Sequence, residues 1–218
     1  MAEHADDVEV ELAIVCEPEG AELADIEGVS DELALRAVAL TLARAGVTEP
    51  VEVSLLVTDD EHLRQLNRDF RGKDEATDVL SFPLLDAPLV DAPAAELWQE
   101  AEDDTPPRAA LDGATMPAAP RMADLDGAGY DEETAELDGE DDELEPEAVP
   151  LHLGDVAISR ETLVRQAQQE GHSSAWEFAY LLAHGVLHLV GYDDQTEAGY
   201  RAMVAHQTAV LTELGISR

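Results

Sequence analysis

His184 and His188 stand four residues apart in His-Gly-Val-Leu-His, and Leu189-Val190-Gly191-Tyr192-Asp193-Asp194 follows at once. Side chains at i and i+4 share one helix face, so both imidazoles can present a nitrogen to one ion. Gly191 is the residue type that ends a helix and turns the chain back, which brings Asp193 or Asp194 within reach as an oxygen ligand. Two nitrogens and one oxygen, with a position left open, describe a mononuclear hydrolytic site. Zinc suits mixed imidazole and carboxylate ligation, and the Asp oxygen also admits manganese, iron or nickel. A metalloprotease of the His-Glu-x-x-His kind needs a Glu directly after the first His, and Gly185 stands there. Asp193, Glu197 and Glu177 are the nearby substitutes, none at that spacing, and Glu177 and Glu197 read as solvated helix charges.

Asn67, Arg68, Arg71 and Lys73 form the densest basic patch and run directly into Thr77-Asp78-Val79-Leu80-Ser81-Phe82-Pro83. A guanidinium between a helix and a strand can grip a phosphate through paired donors, a role open to Arg71. Ser81 lacks the glycine-flanked elbow of a serine hydrolase, so Ser81 and Thr77 are assigned backbone hydrogen bonding, with substrate contact as the alternative. His172, in Gly171-His172-Ser173, reads as a structural residue before the metal-bearing helix. For Trp176 and Phe178, core packing outranks base stacking.

These groups need elements to hold them. Val8 to Cys16 and Val51 to Val57 read as strands, and Thr77 to Phe82 as a short strand stopped by Pro83. Asp31 to Ala45 carries apolar residues at helical spacing behind a Ser30 cap, and Thr58 is the expected cap of a helix over Asp59 to Phe70. Leu151 to Ile158 reads as a further strand. Helical patterns follow from Ser159 or Arg160 to Gln169, from Trp176 to Val190 behind Ser173 or Ser174, and from Thr196 to Leu214. The middle one is apolar almost all round, which makes it central and puts its histidines in a low-dielectric surround. The expected fold class is α+β, with a mixed sheet of about four strands flanked by helices.

Composition separates one stretch from the rest. Residues 86–150 hold 21 acidic residues against Arg108 and Arg121, half of the formal charge of −38. Such a run repels itself and carries little apolar surface, so the chain is read as one domain, 1–218, interrupted by a disordered acidic insertion at 86–150. Leu89 to Glu100 is the one part of it with the pattern for a transient helix. Bulk charge of this sign weakens attraction to phosphate polymers, so a nucleic-acid partner requires local positive charge or metal. Cys16 is the only cysteine, which excludes an internal disulfide and reads as a buried filler in a reducing cytosol. No signal-like or membrane-spanning run is present in the sequence.

Taken together, Asn67 to Arg71, Thr77 to Pro83, Leu153-Gly154-Asp155-Val156-Ala157-Ile158-Ser159, Gly171-His172-Ser173 and His184 to Asp194 resemble the successive signatures of the YbeY family. That resemblance covers Val8 to Phe82 and Leu151 to Leu214 and leaves the insertion outside. It implies a metal-dependent, single-strand-specific endoribonuclease of the cytoplasm, acting in ribosomal RNA maturation and ribosome quality control. The implied partners are single-stranded rRNA precursor and the small ribosomal subunit or its assembly proteins, with neither DNA nor membrane. It also implies one zinc ion on His184, His188 and the third ligand position, with Arg71 as the functional arginine and Asp193 as the residue that holds the ligand loop. The family pattern has His at the third position and this chain has Asp194, whose harder oxygen shifts metal preference toward Mn2+, Fe2+ or Ni2+. The competing expectation is a ribosome-associated binding protein whose ion is structural.

Overall fold

The computed structural model describes residues 8–98 and 149–218. Strand β1 (Val10–Cys16) leads through helix α1 (Asp31–Ala45) to strand β2 (Val51–Thr58), and the two strands run parallel. Helix α2 (Asp60–Arg71) then precedes strand β3 (Val79–Pro83). After residues 99–148, strand β4 (Leu151–Ser159) inserts between its predecessors, parallel to β2 and antiparallel to β3. The result is a four-stranded mixed sheet in the order β1-β2-β4-β3, the architecture that the sequence patterns imply. β2 and β4 are inner strands and are buried almost continuously, whereas β1 at one edge alternates between half-buried and exposed. Cys16 therefore ends half-buried rather than fully enclosed.

Helices α3 (Arg160–Glu170), α4 (Ser174–Val190) and α5 (Glu197–Glu213) close the domain. α4 touches α1, α3, α5, β3 and β4, which explains why nearly all of its faces are apolar. Ser30, Ser159, Ser173 and Thr196 each accept a backbone N–H in the first turn of the helix that follows. The expected Thr58 cap is corrected. Asp59 caps α2 by accepting from His62 N at 2.8 Å, because a carboxylate is the stronger acceptor at a positive helix end. Thr58 is instead the buried last residue of β2, and its hydroxyl donates to Glu17 Oε2.

Residues 86–98, expected to belong to the disordered insertion, are ordered. They form an extended strap across the C-terminal end of α4, with Val90 and Trp98 buried, and no helix forms over 89–98. Leu89, Val90, Leu97 and Trp98 supply the apolar surface that outweighs the acidic residues around them. The expectation of disorder over 99–148 lies outside the described residues. Among the described residues, no helix is long and apolar enough to cross a membrane.

Candidate metal centre

α4 carries two of the three ligands. His184 and His188 lie one turn apart near its C-terminal end, and their Nε2 atoms approach to 3.1 Å with the rings at 87° to each other. His188 Nδ1 is hydrogen-bonded to the carbonyl of Tyr192 at 2.9 Å. A carbonyl only accepts, so the proton sits on Nδ1 and the Nε2 lone pair faces His184. Gln207, a buried residue of α5, lines the same cavity as His184, and its amide nitrogen donates to Tyr180 O at 3.2 Å. Gly185 is required by packing. A Cβ there would meet Val156 Cγ1 of β4 at 2.6 Å and Ser81 Oγ of β3 at 3.2 Å. The position that would hold a protease's catalytic Glu is thus filled by the sheet.

The third ligand comes from the loop after α4. Asp194 Oδ2 lies 3.9 Å from His184 Nε2, and one ligand atom from each of His184, His188 and Asp194 falls within 4.8 Å of the others. Tetrahedral zinc with ligands at about 2.0–2.2 Å holds neighbouring ligand atoms roughly 3.3–3.5 Å apart, so this donor set fits one ion. Asp193 faces elsewhere, its Oδ1 accepting from Gln195 N, which fixes the loop. Gly191 has φ +121°, and a Cβ on it would strike Pro88 of the strap at 2.5 Å. The strap then pairs with the loop. Leu89 N donates to Val190 O, Trp98 N to Gly191 O and Asp193 N to Glu96 O, each at 2.9–3.0 Å, with Leu97 bridging Tyr192. Beneath the loop, Gly199 of α5 lets the Asp193 carbonyl approach to within 1.9 Å of where a Cβ would be.

Burial sets the protonation of the site. It pushes the His184 imidazole down to about 4, with His188 adding to the effect and Asp194 and Asp78 opposing it. Burial likewise lowers His188, and the positive charge of Arg71 acts in the same direction. Both imidazoles are neutral at pH 7 and available as ligands.

The basic patch resolves into separate roles. Arg68 pairs with Asp69, and buried Asn67 donates to Glu75 O at 2.9 Å. Arg71 and Lys73 have no carboxylate partner among the described residues. Arg71 ends α2 on an exposed turn, near enough for its charge to be felt at His188. Glu197 is an exposed helix charge paired with Arg201, as expected. Glu177 is not. It is buried and closely hydrogen-bonded to His172 Nε2, and burial pushes its carboxyl upward. His172 also packs on Trp176, which stacks on Tyr180. Thr77 donates to Asp78 Oδ1, in keeping with a local role.

A cavity of about 140 Å³ opens beside the ligand cluster, lined by His184, Asp194, Asp78, Tyr180, Tyr200 and Met203 among others. Asp78 belongs to the Thr77–Pro83 motif, whereas nothing in spacing or residue type marks Gln207 or Tyr200. They reach the site only because α5 folds back along α4.

Comparison with known proteins follows the same outline. The family model described as Endoribonuclease YbeY matches residues 20–215. An Endoribonuclease YbeY of Roseiflexus castenholzii is 34% identical over 214 residues, covering 98% of both chains. One of Symbiobacterium thermophilum is 36% identical over 83% of this chain and 82% of its own. One of Moorella thermoacetica is 36% identical over 84% and 85%.

Proposed function

The chain belongs to the YbeY endoribonuclease family, and from that membership we propose that it is a metal-dependent, single-strand-specific endoribonuclease acting in ribosomal RNA maturation. The observation that carries the reading is the convergence of His184, His188 and Asp194 on a point small enough for one ion. Bound there, the ion supplies Lewis-acid chemistry toward a phosphodiester. Zinc is the first choice for this donor set, and the Asp194 oxygen extends the range to manganese, iron and nickel. His184 and His188 offer neutral nitrogens because burial keeps protons off them. Arg71, exposed and near enough for its charge to be felt at His188, is the group that neutralises phosphate charge as the transition state forms. With a formal charge of −38 on the whole chain, RNA attraction rests on that local charge and the ion. A small-subunit rRNA precursor is the substrate that the family points to, in the cytoplasm.

The deciding experiment pairs elemental analysis of protein purified without an affinity metal with cleavage of a single-stranded RNA in matched salt. One ion per chain is expected, lost in His184→Ala and His188→Ala together with cleavage, and retained in an inactive Arg71→Ala. Cleavage that survives all three substitutions would remove the activity from this site. Metal without cleavage across the salt range would favour the ribosome-associated binding protein.

A further inference from the structure

We propose that the cavity beside the metal centre is a nucleobase subsite, which takes the base flanking the scissile phosphate out of its stack and seats it against Tyr200. The inference rests on the ribonuclease reading and adds to it the group that the protein recognises. His184 and Asp194 line both the ligand cluster and the cavity, so whatever fills the cavity touches the ion's neighbours. At about 140 Å³ it is on the scale of one base and too small for a base pair. Leu181 and Met203 give it apolar walls, and Tyr200, which also lines it, is 57% exposed. Asp78 supplies a polar edge. Its Oδ1 accepts from Val79 N at 2.9 Å and its Oδ2 from Gln166 Nε2 at 3.0 Å, which holds the carboxylate in place to accept a further N–H from a base edge.

Such a site accounts for single-strand specificity by geometry. A base can enter only when it is unpaired and splayed from its neighbours, and aromatic stacking then offsets the stacking that it gave up. A duplex would have to break a pair to reach the same position.

The test compares the metal-loaded parent with Tyr200→Ala, which removes the platform, and Val204→Phe, which fills the cavity from α5. Thermal melting and metal content establish that each variant is folded and loaded. Cleavage-site mapping on a mixed-sequence single-stranded RNA reports base bias beside the cut, steady-state kinetics separate KM from kcat, and anisotropy of a fluorescent RNA reports binding. Both variants are expected to raise KM by about 5- to 100-fold and to flatten the base bias, with kcat within about threefold of the parent. Unchanged KM and bias in both would overturn the subsite and leave the ribonuclease reading standing. If the parent binds RNA without cutting it and both variants bind more weakly, the subsite stands and the ribonuclease reading falls. A parent that neither binds nor cuts RNA would remove both.

Discussion

The two halves of the metal centre are held in different ways. His184 and His188 ride on α4, a helix buried on nearly every face and pressed so closely on β4 that Gly185 has no room for a methyl group. Asp194 rides on a loop, its side chain 42% exposed against 24% for His184. That loop is held by backbone hydrogen bonds to residues 89–98, a strap far away in sequence. The helix half is therefore fixed by core packing, and changing it means disturbing the core. The loop half is fixed by a few hydrogen bonds, and its ligand needs only reach. A shorter, harder ligand on the loop therefore imposes no repacking on the core.

Removing ligands should break the comparison most sharply. His184→Ala or His188→Ala is expected to weaken zinc binding well beyond the roughly 10- to 100-fold typical of losing an outer partner, and Asp194→Ala by less, measured by competition with a chromogenic chelator. Asp194→His is expected to retain the ion and to raise its preference for zinc over manganese, since imidazole is the softer ligand. Equal losses from all three alanine variants would show that the halves do not differ.

The next largest effect concerns pH and belongs to the helix half. In the folded metal-free protein the His184 imidazole titrates at about 4, against an ordinary value near 6.5 in the unfolded chain. Between those values the unfolded chain holds a proton that the folded one does not, so stability falls as pH drops from about 6.5 toward 4. Above 6.5 this contribution is fully present. Its size is on the order of 3 kcal/mol, one pKa unit being about 1.4 kcal/mol. Urea denaturation of chelator-treated protein over this range should show the decline, and His184→Gln should flatten it. An identical slope in the variant would place the pH sensitivity elsewhere.

The same division describes what could be read from the sequence. The helix half was legible because its determinants are local: i,i+4 spacing, apolar periodicity and a serine cap all lie within α4 and the residue before it. The fold was legible for the same reason, strand by strand. The loop half was legible only in its residue types. Asp194 over Asp193 followed from family resemblance, and the strap was hidden by its acidic neighbours, since four apolar side chains among them decide its order. Glu177 misled in the opposite way, because its partner His172 is set by the turn before α4 and no periodicity reveals that pair. Gln207 depends on α5 folding back across α4, a tertiary fact without a local signal.

A smaller effect tests how each half is oriented. Trp98→Ala removes the buried side chain that seats the strap, whose backbone N–H donates to Gly191 O. Gln207→Leu removes the buried amide that lines the cavity beside His184 while keeping a similar volume. Each is expected to weaken metal binding by about 10-fold, at the low end of what outer partners contribute. The backgrounds distinguish them. If the strap acts through the loop-borne ligand, Trp98→Ala should have little further effect in Asp194→Ala, while Gln207→Leu should keep its full effect there and lose it in His184→Ala. Interaction energies of this kind reach about 0.5–3 kcal/mol for coupled residues and vanish for independent ones, which places the expected pattern within measurement. Full additivity of Trp98→Ala with Asp194→Ala would mean that the strap stabilises the domain and does nothing particular for the ligand it crosses.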